Sequence, residues 1–255
     1  MAKHSAGVPL VYGLGIFARI LTSSLLFFKQ RRISSQPLVM QIYFTFAQAM
    51  GITAMLALGI GAAVSSIGFP FLRMVSQEQL LYPLLVAVVT RELGPLLTAL
   101  IVIARSATAI ATETAGMVID HEIEAYLSVG VDPIEHLAVP RFIAMIVSLL
   151  LLNFYFSVFG LVGSFVIVQA FHTLPAGVYF GSLLQSFSVP DIVTATVKAL
   201  AFGMIISTIA ITEGLGVERA STEVPVAALR AVSRAFVVCI AVNILVSALY
   251  YMVFA

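Results

Sequence analysis

The sequence predicts an all-α polytopic membrane protein: an N-terminal helix lying at the interface, followed by five membrane-spanning helices in a single domain, residues 1–255. Three observations carry that prediction. Apolar residues make up 61% of the chain and charged residues only 10%, against about 45–50% and 25% in a soluble domain. The apolar residues fall in uninterrupted runs long enough to cross a bilayer as helices. The Lys and Arg residues outside those runs gather on alternate connections. A soluble globule cannot be covered with so few charges, which excludes a soluble enzyme, a nucleic-acid binder and a disordered chain. The net charge of +1 points to no partner, and the single cysteine, Cys239, allows no intramolecular disulfide.

The first apolar stretch runs from about Val8 to Phe28 and is interrupted by Arg19, with Thr22, Ser23 and Ser24 beside it. Lys3 and His4 ahead of it superficially suggest a signal peptide. No small-residue cleavage site closes the stretch, however, and it exits through Lys29, Arg31 and Arg32, so it reads as retained. An internal arginine and a basic exit suit a helix in the interface plane, although a spanning helix is the other reading.

The second stretch, Val39 to Phe69, carries the small residues Ala47, Gly51, Ala54 and Gly61, which would let helices approach closely in lipid. A connector with Pro70, Arg73, Gln77 and Glu78 leads to the third stretch, Leu80 to Ala111. A polar segment of about residues 112–140 comes next. The fourth stretch, Phe142 to Phe171, ends at a Pro- and Gly-containing connector through Pro190. The fifth is Ile192 to Ile211, and after a charged loop the sixth is Ala235 to Ala255. Strands of an outer-membrane barrel would alternate apolar and polar residues, which these runs do not.

With the first stretch interfacial, nine basic residues share one side: Lys3, Arg19, Lys29, Arg31, Arg32, Arg141, Arg219, Arg230 and Arg234. The other side has Arg73 alone, while Arg91, Arg105 and Lys198 fall within spans. The rich side is therefore expected to be cytoplasmic.

The third span holds Arg91-Glu92-Leu93-Gly94-Pro95. Charges at that depth cost about 2.5–3.5 kcal/mol on insertion scales and must face protein or water. Arg91, Thr98, Arg105 and Thr112 recur every seven residues, with Glu92, Ser106 and Glu113 on the neighbouring stripe, so one face of the helix is expected to be polar from end to end. Gly94-Pro95 is expected to kink or break the helix and release carbonyls near the charges. Lys198 is a second buried charge, and Glu92 is its most deeply placed candidate partner. Two readings stand: an internal ion pair that pins the bundle, or a polar element lining a substrate cavity.

The 112–140 segment carries six of the twelve acids: Glu113, Asp120, Glu122, Glu124, Asp132 and Glu135. Ile119, Ile123 and Leu127 predict a short amphipathic helix closed by Gly130. Asp132-Pro133-Ile134-Glu135 reads as an N-cap, a first-position proline and a capping-box glutamate. Such a loop is either simply solvated or a docking surface. No metal-binding H-E-x-x-H, no ATP-binding G-x-x-x-x-G-K-[ST] and no G-x-S-x-G nucleophile elbow is present.

From Arg91 to Arg141 the sequence resembles the MlaE-like permeases, the membrane subunits of Mla/Mce-type lipid-transporting ABC systems. The matching residues are Arg91-Glu92-Leu93-Gly94-Pro95, Thr98-Ala99, Arg105, Glu113, Met117, Glu122-Ile123-Glu124-Ala125, Gly130-Val131-Asp132-Pro133 and Pro140-Arg141, with Lys198 and Phe202-Gly203 further on. It departs from the family at Ala104 and Ala107, where glycines are usual, and at Glu113-Thr114-Ala115-Gly116; Gly214–Arg230 matches loosely. The resemblance implies a homodimeric permease in the bacterial inner membrane, with phospholipid in an apolar cavity between protomers. It also implies a periplasmic Mce-domain partner, a role in outer-membrane lipid asymmetry, and a cytoplasmic ATPase docking on the loop through Asp120, Glu122, Glu124, Asp132 and Glu135. ATP and magnesium would then bind that ATPase, with no cofactor in this chain. Arg91, Glu92 and Lys198 are the expected substrate pathway. A secondary transporter or channel would bury the same charges, usually with inverted repeats; an intramembrane enzyme would need a nucleophile–base pair, and the deep Ser and Thr residues have no nearby His.

Overall fold

The computed structural model describes residues 10–30, 35–171, 175–218 and 220–254, and those residues form helices and short connections without strands. Lys3, Arg31, Arg32 and Arg219, counted above toward orientation, lie outside the described residues, as does the side chain of Lys29. Helix α1 is Leu10–Gln30 and α2 is Ser35–Met74. A third long helix, α3, spans Glu78–Ile119, and a short one, α4, spans Glu122–Ser128. A π-helical turn, Ile134–Ala138, leads into α5, Val139–Phe171. Then come α6, Ala176–Gln185, α7, Val189–Leu215, and α8, Val224–Phe254. Five helical runs are long and apolar enough to cross a membrane: Leu38–Met74, Glu78–Ile119, Ile134–Ala170, Val189–Leu215 and Ser221–Phe254.

The expected class therefore holds, and the boundaries move outward. Pro70 sits inside α2 instead of in a connector; the chain turns only at Ser76, which takes the left-handed conformation (φ 56). The polar 112–140 segment is helical at both ends, leaving residues 120–133 as the loop proper. Most of the charged stretch before the last span is also helical, because α7 continues to Leu215 and α8 begins at Val224. The connector before Pro190 contains α6, whose Tyr179 and Leu183 are buried. Pro175 before it and Gly177 and Gly181 within it disguise that helix in the sequence.

Two compact units form. One draws on Met1–Ala47, Val102–Ser148 and Ala201–Ala241; the other draws on Gln48–Ile101, Leu149–Leu200 and Val242–Ala255. In the first unit Phe17 of α1 packs on Phe142 (ring centroids 6.4 Å apart), and Arg19 donates to Asp132 at 2.6 Å. Gly203 lies against the backbone of Ile146, where a Cβ would come within 2.7 Å of Ile146 Cα.

In the second unit the core includes Ala57, Phe69, Leu85, Val89, Phe156 and Tyr179. Tyr179 anchors α6: its ring meets Tyr82 and Phe165 with centroids 5.6 and 5.2 Å away, and its hydroxyl bonds Ser164 at 2.5 Å. Burial pushes the Tyr179 phenol up to about 12, with the nearby Tyr82 adding to the rise and the Ser164 hydrogen bond opposing it. Gly61 of α2 meets the backbone of Gly160 on α5, and a Cβ at Gly61 would fall onto the Gly160 carbonyl. Among the small residues expected to face neighbours, only Gly61 is buried; Ala47 and Ala54 are half-buried and Gly51 is exposed. The buried stripe of α2 instead runs every fourth residue, Thr45, Ala49, Thr53, Ala57, Gly61, Ser65 and Phe69, which is the i±4 ridge of helix packing.

Candidate functional site

The candidate site forms within the second unit, where α3, α7 and α8 bring four charges together. Its geometry begins at Pro95, which has no N–H to donate to the Arg91 carbonyl and whose ring would crowd that carbonyl in a regular α-helix. The chain answers with a π-helical stretch, Val86–Leu93, in which the Gly94 N–H reaches back to the Val89 carbonyl. Of the two expected outcomes, a kink or a break, the break does not occur: the helical run continues from Glu78 to Ile119, and the irregularity is a change from π-helical to α-helical turns at Gly94. The expected carbonyl is nevertheless left open, and Lys198 Nζ from α7 donates to it at 3.3 Å.

Lys198 is fully buried. Its other two contacts are Glu92 Oε2 at 2.7 Å and Ser247 Oγ at 2.7 Å, so the three donors of the ammonium meet three acceptors. Ser247 in turn donates to Glu92 Oε2 at 2.8 Å. On the other side of Glu92, Arg91 Nε lies 3.3 Å from Oε1. The Arg91 guanidinium donates to Asp191 Oδ1 at 3.0 Å and to the Tyr251 hydroxyl at 2.8 Å, and its carbon stands 4.2 Å from the Tyr250 ring centroid. The Tyr250 hydroxyl completes the ring of contacts by donating to Asp191 Oδ1 at 3.0 Å.

Asp191 is absent from the residues that the sequence singles out, although a signal for it exists. Ser188-Val189-Pro190-Asp191 is a capping box: Asp191 Oδ2 accepts from the Ser188 N–H at 3.3 Å, and Ser188 Oγ accepts from the Asp191 N–H at 3.4 Å. That box fixes the start of α7 and sets Asp191 in its first turn, beside Arg91. Ser247, Tyr250 and Tyr251 carry no such signal, being hydroxyls scattered in an apolar run.

Arg91, Glu92 and Lys198 are thus brought together; Thr98, Arg105 and Glu113 are not part of the cluster. The seven-residue stripe fails because two π-helical stretches, Val86–Leu93 and Ile103–Ala107, widen the turn and rotate the residues beyond them. Thr98 is buried and donates to the Gly94 and Pro95 carbonyls of its own helix, Arg105 is exposed, and Glu113 pairs with Arg141 at 3.0 Å.

The four charges sum to zero, and they differ in access. The Lys198 side chain has no exposure, Arg91 has 7%, Asp191 10% and Glu92 27%. Each of the two cations is held by a carboxylate, and the Glu92 carboxylate is the most accessible of the four groups.

The second candidate element is the loop of residues 120–133 in the first unit. His121 (φ 59) and Gly130 (φ 78) turn the chain at either end of α4. Glu122 and Glu124 lie in its first turn, where the helix dipole favours acids. Asp120, Glu122, Glu124 and Glu135 are exposed, as are Leu127 and Val129. Asp132 differs: it caps the Ile134 N–H at 2.9 Å while taking the Arg19 ion pair. Beneath α4 is a cavity of about 590 Å³ bounded by Ile123, Leu127, Leu137, Arg141 and Leu215.

Among protein families, the one described as Permease MlaE matches residues 38–249. A probable ABC transporter permease protein of Rickettsia typhi is 28% identical over 87% of this chain and 88% of its own length. The intermembrane phospholipid transport system permease protein MlaE of Haemophilus influenzae is 26% identical over 84% of this chain and 82% of its own. A probable ABC transporter permease protein of Synechocystis is 32% identical over 49% of this chain and 48% of its own.

Proposed function

The chain belongs to the MlaE permease family and is a multi-pass membrane permease of an ABC-type transporter; from that premise we propose that its cargo is phospholipid. The transport would run between the bacterial inner membrane and a periplasmic Mce-domain protein, maintaining outer-membrane lipid asymmetry. A separate cytoplasmic ATPase would supply the energy, and two copies of the chain would enclose the lipid. The Haemophilus relative, named for intermembrane phospholipid transport, supports the choice of cargo.

The observation that carries the reading is the buried, neutral cluster of Arg91, Glu92, Asp191 and Lys198 with Glu92 as its most exposed member. A lipid headgroup presents phosphate, which a guanidinium grips through two donors and an ammonium attracts as a point charge. Glu92 holds the cations while the site is empty and gives way as phosphate enters. The exposed acids Asp120, Glu122, Glu124 and Glu135, beside Leu127 and Val129, form the surface on which the ATPase docks. Asp132, held by Arg19, serves the loop's shape instead.

The test is lipid transport by the permease reconstituted with its ATPase, comparing Glu92→Gln and Lys198→Met after normalising to folded complex. Reduced transport by folded complex supports the pathway. Wild-type transport in both removes these residues from it, and loss of folded protein alone assigns them a purely structural role.

A further inference from the structure

The first unit holds a second cavity, of about 700 Å³, walled by α1, α7 and α8. Leu14 and Phe17 contribute from α1, Ile205 and Ile209 from α7, and Val237 and Val238 from α8. Thr208, Thr212 and Ser233 also line it, yet none offers its O–H to the space. Thr208 donates to the Met204 carbonyl at 2.7 Å, Thr212 to the Thr208 carbonyl at 2.6 Å and Ser233 to the Arg230 carbonyl at 3.1 Å. The wall therefore presents methyl and methylene groups where the sequence shows hydroxyls.

The charged lining residues are Glu213 and Arg234, which pair with each other. The Glu213 side chain is 2% exposed and that of Arg234 is 38% exposed, so the cation is the member that faces outward. Arg230 precedes Arg234 by one helical turn and Val238 comes one turn after it, giving α8 a ridge that passes from cationic to apolar. The outward-facing charge at the rim of the slot is therefore the Arg234 guanidinium. Leu14 (61% exposed) and Val237 (64% exposed) hold the mouth open.

An apolar slot with a cationic rim, built between α1 and two helices long enough to span a membrane, matches a molecule with an anionic head and an alkyl tail. Its volume lies within the about 300–1,000 Å³ range of ligand pockets. We propose that this cavity is a lipid site separate from the charged cluster: one acyl chain of a membrane phospholipid lies between Phe17, Ile209 and Val238, and its phosphate lies against Arg234 and Arg230. The chain covers the sides of Phe17 and Val238 that face the slot, and thereby completes the packing of α1. The assignment stands on the cavity's own chemistry and does not depend on what the transporter carries.

The test uses the full-length chain in nanodiscs of phosphatidylethanolamine and phosphatidylglycerol, doped with a phosphatidylglycerol that carries a diazirine at the end of one acyl chain. Adducts are mapped by mass spectrometry after photolysis. Adducts are expected to concentrate on peptides containing Leu14, Ile209 and Val237, to be lost in Val237→Trp, which fills the slot, and to weaken in the Arg230→Gln, Arg234→Gln double variant. Val238→Phe fills the same space if the tryptophan variant does not fold. An even spread of adducts over exposed apolar residues such as Met55 and Phe71 would overturn the proposal. So would adducts that survive both filling variants, or a Val237→Cys disulfide between two copies, which would put a second chain where the lipid is placed.

Discussion

Replacing Lys198 by methionine removes an ammonium that meets Glu92 at 2.7 Å, Ser247 at 2.7 Å and the Arg91 carbonyl at 3.3 Å. The carboxylate keeps only Ser247 at 2.8 Å and Arg91 Nε at 3.3 Å, and the Arg91 carbonyl loses a donor that Pro95 cannot replace. An uncompensated charge left by breaking a buried pair costs about 3–5 kcal/mol. Glu92→Gln should cost less, about 1–3 kcal/mol, because an amide carbonyl still accepts from Lys198 and the side chain is 27% exposed. The two changes touch one contact, so the double variant should fall short of their sum by about 1–3 kcal/mol. Unfolding of the four proteins in one detergent, followed by circular dichroism, gives the cycle. A Lys198→Met cost below about 1 kcal/mol, the range of exposed pairs, or strict additivity in the double variant, would refute the claim that the pair holds α3 and α7 together.

Three further outcomes are expected. Gly61→Ala should destabilise the fold by about 1–3 kcal/mol, because its Cβ has only the Gly160 backbone to push against; Gly59→Ala, with nothing within 4 Å, should be neutral or raise stability by up to about 1 kcal/mol. The phenol of Tyr179, raised from 10.0 to about 12, favours the folded state while it is protonated. Its contribution is complete below pH 10, is lost as pH rises from there through about 12, and should vanish from the stability profile of Tyr179→Phe. Membrane-impermeant thiol labelling in a Cys239→Ala background should reach Glu124→Cys and Gly177→Cys from opposite sides of the membrane, the first from the cytoplasm; labelling from one side would reject the proposed orientation.

The number and order of the spans are legible because runs of apolar residues report length directly. Their ends are not, because helices continue through polar residues wherever a partner exists. Glu213, in what the sequence suggests is a loop, is helical and buried because Arg234 meets it. Helix α6 escapes notice for a related reason: it is ten residues long and its burial rests on two side chains, Tyr179 and Leu183, too few to announce a periodic stripe. Within the site, Arg91, Glu92 and Lys198 stand out because charge is costly in an apolar run. Asp191 is recoverable from its capping box. The polar stripe misleads because a heptad assumes a uniform helix: the π-helical stretch Val86–Leu93 shifts Thr98 relative to Arg91, and the stretch Ile103–Ala107 shifts Arg105 relative to Thr98. The buried ridge of α2 likewise keeps a four-residue step that hydrophobicity alone does not reveal.

The span of chain between the partners in the charged cluster bears on how the protein is made. Arg91 and Glu92 are synthesised first; Asp191 emerges 100 residues after Arg91, and Lys198 emerges 106 residues after Glu92. Ser247 and Tyr251 come last. A nascent chain ending before α7 therefore carries an arginine and a glutamate in its second apolar span, α3, without Asp191 or Lys198 to pair with them. Each costs about 2.5–3.5 kcal/mol to place at the centre of a bilayer. Commitment of α3 to the membrane must then wait for α7 or be sheltered by the insertion machinery until Lys198 arrives. Truncations after residue 185 should stay within reach of crosslinkers on that machinery, whereas chains extended past residue 215 should be released.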